Sequence, residues 1–266
     1  MNKCTRGTDA ITTASHYCGN CGVSQNDNQN QKPPFKLPDD LSENKKTISN
    51  GFVGVQKTQF DPGDWNTYIT GFSSFIDNLG TQSQYSKYYR FVSRDDVKVI
   101  SKNVDIGKNS AEELFIASQI WGWGTGGRGM SHTQEAIETD DFKKIINDVF
   151  SLVKQGNIYD AYLRMTIKHC GAAYLSKFLY FSALGGNISP LPVILDGRVV
   201  KSLIQVGAHE GWLAKEFSDF NIHSSGNVVV DKNALKYIVF IKQMDMWAKE
   251  LGCPADYIEY YLWSTG

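Results

Sequence analysis

The chain reads as an all-α domain behind a polar N-terminal arm. Three observations carry that expectation. Apolar residues recur at helical spacing through most of residues 51–266, capping signals stand ahead of several of those stripes, and strand-like alternation is scarce. Residues 1–50 differ: positions 24–31 are only Ser, Gln, Asn and Asp, followed by Pro33, Pro34, Pro38 and the charged pairs Asp39-Asp40 and Lys45-Lys46. Such a segment buries too little apolar surface to offset its ordering entropy, so 1–50 is expected to be a mostly disordered arm, with 22–50 as a linker or loosely docked arm.

From residue 51 the elements follow in order. Asp61-Pro62 opens a helix expected to run to about Leu79, with proline at the first helical position. Ser93 caps a short helix through Ile100, and Ser110 to Glu113 forms a capping box ahead of Leu114, Phe115, Ile116 and Ile120. Phe142, Ile145, Ile146, Val149, Leu152 and Val153 make a stripe that Gly156 stops. A helix is expected from Asn157 to Lys168, and Ala172 to Leu184, apolar almost all round, reads as a buried central helix. Asp196 to Val206, Asp231 to Leu251 and a segment opened by Pro254 complete roughly eight or nine helices. Pro192 to Leu195 and Val228 to Val230 are short apolar runs that need no sheet.

Composition bounds the function. The 266 residues carry 27 Lys plus Arg against 28 Asp plus Glu, a formal charge of −1, so bulk charge does not draw the molecule onto nucleic acid. No apolar run is long enough for a transmembrane helix, and the start lacks the apolar stretch of a secretory signal, so a cytoplasmic protein without membrane partners is expected. Five cysteines, at 4, 18, 21, 170 and 253, do not read as a disulfide framework.

One lysine stands out. On a helix, Lys177 has Ala173, Tyr174, Tyr180 and Phe181 three and four positions away, all apolar or aromatic. Burial penalises the charged amine and leaves more of the nucleophilic free base; the alternative is a packed stem with its head in water. The acid Asp196 stands directly after the apolar run and directly before a helix, where it reads as an N-cap. A carboxylate there stays ionised, and beside a free amine it suits attack at a sugar C1′, where cationic character develops.

The nineteen-residue spacing from Lys177 to Asp196 resembles the 8-oxoguanine DNA glycosylase branch of the helix-hairpin-helix glycosylase superfamily. The stretch Pro192-Val-Ile-Leu-Asp-Gly-Arg-Val199 is similar to the P-[IV]-L-D-G-x-V of its adenine-specific members. Trp121-Gly-Trp-Gly124, Gly171-Ala-Ala-Tyr-Leu-Ser-Lys-Phe-Leu-Tyr-Phe181 and Leu195-Asp-Gly-Arg-Val199 resemble motifs of bacterial 8-oxoguanine-glycosylase-like proteins, some encoded in CBASS anti-phage islands. The resemblance implies a helix-hairpin-helix glycosylase-like helical fold. It also implies that Lys177 attacks C1′ and forms a Schiff base, that Asp196 stabilises charge and assists proton transfer, and that strand cleavage by β-elimination can follow. It departs at the hairpin: the family's L-P-G-[VI]-G phosphate grip is reduced to Gly171 followed by Ala172-Ala-Tyr-Leu175. A single strand or distorted duplex carrying a modified purine is therefore the expected substrate, with defence-system proteins as further partners.

Trp121, Trp123 and Arg128 in the glycine-rich stretch, with Tyr174, Phe181 and Arg198, are the candidate substrate contacts; a flexible turn with core tryptophans is the plainer reading of the first three. His169 is either a phosphate contact or a structural or surface histidine. Cys18-Gly-Asn-Cys21, with Cys4 and His16, reads as a structural zinc site or as surface thiols; no cofactor is required for the chemistry. Excision of an oxidised or modified purine is the expected function, and a non-catalytic module binding a modified base, nucleotide or protein is the alternative.

Overall fold

A computed structural model describes residues 36–51, 53–186, 188–207, 221–222, 228–230 and 232–266. The chain divides into Met1–Lys36 and Leu37–Gly266, and the second unit is all-α with a small sheet. It opens with the short helices α1 (Asp39–Glu43) and α2 (Lys45–Ser49), then β1 (Lys57–Phe60), α3 (Pro62–Tyr68), α4 (Ser73–Asn78), β2 (Thr81–Gln82) and β3 (Arg90–Ser93). The helical body follows: α5 (Arg94–Asp105), α6 (Ala111–Trp123), α7 (Gly127–Ile137), α8 (Phe142–Lys154), α9 (Ile158–Arg164), α10 (Ala172–Ala183) and α11 (Gly197–Gly207). A two-residue pairing of β4 (Asn221–Ile222) with β5 (Val228–Val229) precedes α12 (Ala234–Leu251) and α13 (Ala255–Thr265).

The caps act as the sequence predicts. Ser93 and Ser110 each complete a reciprocal capping box, with Asp96 and Glu113, and Asp61 accepts from the Gly63 N–H at 2.8 Å. Helices α6 and α10 form the centre, buried on nearly every side and packed on each other, with α5 and α8 around them. Phe115 meets Phe178 and Phe142 edge-on at 5.7 and 5.3 Å, and Trp121 meets Phe181 at 5.2 Å.

Several expectations are corrected. The arm does not extend to residue 50: Leu37, Leu41 and Ile48 are buried in the helical unit, and the Tyr261 hydroxyl donates to Asp40. The segment 61–79 is two helices, because the chain leaves helical geometry at Ile69, ahead of a 3-10 turn over Thr70–Phe72. The helix from 157 stops at Arg164. A three-stranded antiparallel sheet, in order β1-β3-β2, was not expected; its strands are too short for alternation to register, with Phe60 and Val92 inward and Lys57 and Gln59 exposed. Thirteen α-helices among the described residues exceed the expected number: α1 and α2 fall within the expected arm, α4 comes from the break at Ile69, and α7 begins inside the glycine-rich stretch.

Candidate active site

The site begins with α10. Its first residue follows the N-cap Gly171, and Lys177 lies in its second turn, against α6. At Gly122 of α6 an added Cβ would lie 2.9 Å from Lys177 Cδ, so a glycine leaves the lane through which the lysine stem passes. Asp196 ends the apolar run 192–195. Its Oδ1 accepts from the backbone N–H groups of Arg198 and Val199, both at 3.1 Å, which is the N-cap of α11. Its Oδ2 faces Lys177 Nζ at 3.8 Å.

A residue that sequence reading missed sets this pairing. Ser176, fully buried beside Lys177, accepts from the Leu195 N–H at 3.0 Å and donates to the Ala173 carbonyl at 3.1 Å. The Tyr237 hydroxyl holds the Val193 carbonyl at 3.0 Å. The run leading to Asp196 is thereby tied to α10 at the position preceding the lysine.

The Lys177 side chain is 8% exposed, and its amine also donates to the Ala173 carbonyl at 3.4 Å. Burial pulls its pKa below the ordinary lysine range; Asp196 and then Glu259 oppose that shift, and Arg94 adds to it. The Tyr174 ring lies 5.0 Å from the amine and stacks on Trp123 at 4.4 Å, nearly parallel. Burial, with Asp196 second, holds the Tyr174 hydroxyl well above its ordinary pKa, so it stays protonated at neutral pH.

Trp123 and Tyr174 line a cavity of about 330 Å³, with His132, His169, Ala173, Gly197, Val228 and Val230. That volume falls at the low end of the roughly 300–1,000 Å³ of small-molecule sites. Lys177 and Asp196 do not line it; they adjoin residues that do, one turn from Tyr174 and one residue from Gly197. His132 stacks on His169 at 4.4 Å, and His169 Nε2 meets Glu135 at 2.6 Å. His132 carried no signal in the sequence, having no motif around it.

The other candidate contacts divide. Trp123 and Tyr174 reach the cavity. Trp121 and Phe181 are buried core residues, Trp121 donating from its indole to the Gln56 carbonyl at 3.3 Å. Arg128 is exposed on the first turn of α7 and outside the cavity wall, and Arg198 turns over the Trp263 ring at 5.1 Å. The glycine-rich stretch is a turn only over Gly124–Gly126, with α7 beginning at Gly127. Its Gly129 lies so close to Trp123 that any Cβ would collide with the indole. Cys4, His16, Cys18 and Cys21 lie outside the described residues, among which no group of three or more His, Cys, Asp or Glu side chains is arranged to hold a metal.

Behind the lysine sits a second charged cluster. Arg94 and Glu259, both buried, pair at 2.8 Å; Arg94 Nε also donates to Gln56 at 2.7 Å, and its guanidinium lies 5.1 Å from both the Trp121 and Tyr180 rings. Burial pushes the Glu259 carboxyl up to about 7, against the pull of Arg94.

Among curated proteins and among solved structures, none matches the chain. A family model described as "Putative 8-oxoguanine DNA glycosylase OGG-like protein" matches residues 51–263, a span that holds both Lys177 and Asp196. The match covers most of the chain, and the protein belongs to this OGG-like DNA glycosylase family.

Proposed function

We propose that the protein excises an oxidised or otherwise modified purine from DNA, with Lys177 as nucleophile and Asp196 as its charge and proton partner. The observation that carries this reading is the buried amine 3.8 Å from an N-cap carboxylate, next to residues that line a cavity of about 330 Å³. The amine lone pair attacks C1′ as the bond from C1′ to the base breaks, and the base leaves with the bonding electrons. One amine proton passes through Asp196 to the departing base. The second moves to O4′ as the sugar ring opens, leaving a neutral imine between Lys177 and C1′. Loss of a C2′ proton with departure of the 3′ phosphate would complete strand cleavage. Asp196 also stabilises the positive charge that develops at C1′. Lys177 is outside the cavity lining, so the amine must be uncovered before attack; Tyr174, which lines the cavity with its ring 5.0 Å from the amine, is the side chain whose movement would do so. Base-excision repair or anti-phage defence is the setting this activity fits.

Borohydride reduction during incubation with DNA tests it. With 8-oxoguanine, deazaguanine-type and abasic substrates, wild type is expected to leave a covalent protein–DNA adduct on at least one, and Lys177→Gln none. Failure on all three substrates refutes the proposal.

The closed amine favours a second reading, recognition without cutting. Tight binding to modified DNA that survives loss of both Lys177 and Asp196, with no product from wild type, would select it.

A further inference from the structure

The β2–β3 hairpin carries the most exposed aromatic residue among the described residues. Tyr85 is 87% exposed and Tyr88 64%, at a tip with no acidic residue from Leu79 to Ser93. The tip is held in shape: Ser83 and Ser86 accept from the Tyr85 and Tyr88 N–H groups, both at 3.2 Å, and Gln82 spans the loop to the Ser86 and Tyr89 carbonyls at 2.8 and 3.0 Å. Arg90 braces its base, donating to the Leu79 and Gly80 carbonyls, both at 2.7 Å. The outer face of the sheet continues the pattern. Phe91 stands between its cross-strand neighbours Gln59 and Thr81, with the Lys57 amine 4.8 Å above its ring, and the Lys87 amine lies 5.1 Å from Tyr88.

Water-exposed tyrosines interleaved with lysines, without acids, suit a partner that offers flat rings and negative charge together. We infer that this hairpin and the outer sheet face receive an unpaired DNA strand, with bases stacking on Tyr85, Tyr88 and Phe91 and phosphates meeting Lys57 and Lys87. The inference rests on the DNA-directed reading above. Two further observations support it. The chain has no basic excess, so a local basic surface must supply the phosphate contacts. The sheet also carries the turn that places Trp123 at the cavity: Thr58 donates to the Trp121 carbonyl at 2.8 Å, and Trp65, just after β1, donates to the Gly124 carbonyl at 2.9 Å.

The test uses the full chain and a fluorescein-labelled 20-nucleotide single strand, read by anisotropy. Tyr85→Ala with Tyr88→Ala is expected to weaken binding roughly tenfold or more, and Tyr85→Phe with Tyr88→Phe to change it less than about twofold, since stacking is kept. Lys57→Gln with Lys87→Gln should flatten the slope of log affinity against log salt by about 1.4, from about 0.7 per phosphate. Wild-type affinity in the alanine pair overturns the inference, including the case in which the hairpin docks a protein. The excision reading is judged separately, by borohydride trapping at saturating DNA. An adduct with unaltered alanine-pair binding sinks only the hairpin, and weakened binding without any adduct sinks only the excision chemistry.

Discussion

Lys177 is held where its charged form is least comfortable, and two consequences follow at the residue scale. Its lowered pKa means that the unfolded chain binds this proton more readily than the folded one. The resulting cost to stability is full below the folded pKa, shrinks as pH rises from there to the ordinary lysine value of 10.5, and is gone above it. Lys177→Met is therefore expected to be more stable than wild type by about 1 kcal/mol at pH 7 in urea titrations, with the gap narrowing toward pH 11, while adduct formation is lost. Asp196 opposes the shift, so Asp196→Asn, which preserves an N-cap side chain, lowers the Lys177 pKa further. The acidic limb of the trapping-rate profile should move to lower pH, with the rate itself down on the order of 10²-fold or more.

At the scale of elements, the site is made where α10, the end of α6 and the start of α11 meet. Gly122 belongs to α6 and needs no special backbone there; it is small because the lysine stem passes it. Gly122→Ala should leave melting within about 1 kcal/mol of wild type, since alanine favours helix, yet cut adduct formation at least tenfold by displacing Lys177. Much of this meeting point is legible in the sequence. Apolar neighbours around Lys177, and an acid that caps the next helix, are local patterns, and both place their residues where expected. The tryptophans show where local pattern ends. Trp121 and Trp123 lie two apart near the end of α6, hence on different faces, and only tertiary packing decides that Trp121 joins the core and Trp123 the cavity. Ser176 and His132 were invisible for the same reason: their partners, Leu195 and His169, come from other parts of the chain. The sheet escaped notice because strands of two and four residues give periodicity too little length to register.

Across the whole molecule, the Arg94–Glu259 pair joins the start of α5 to α13, residues 165 positions apart, with Tyr180 of α10 beside it. No spacing rule reveals such a contact. Both groups are buried, so removing one strands the other. Arg94→Met should cost about 3–5 kcal/mol in denaturant unfolding, and Arg94→Met with Glu259→Leu should recover most of it. The same pair acts electrostatically on Lys177, Glu259 raising and Arg94 lowering its pKa, which couples it to the proposed nucleophile. That nucleophile is the claim on which the functional account stands, and peptide mapping by mass spectrometry of the borohydride-reduced adduct tests it most directly. The account predicts the deoxyribose remnant on the Nζ of Lys177; a remnant on any other lysine or on the N-terminal amine would contradict it.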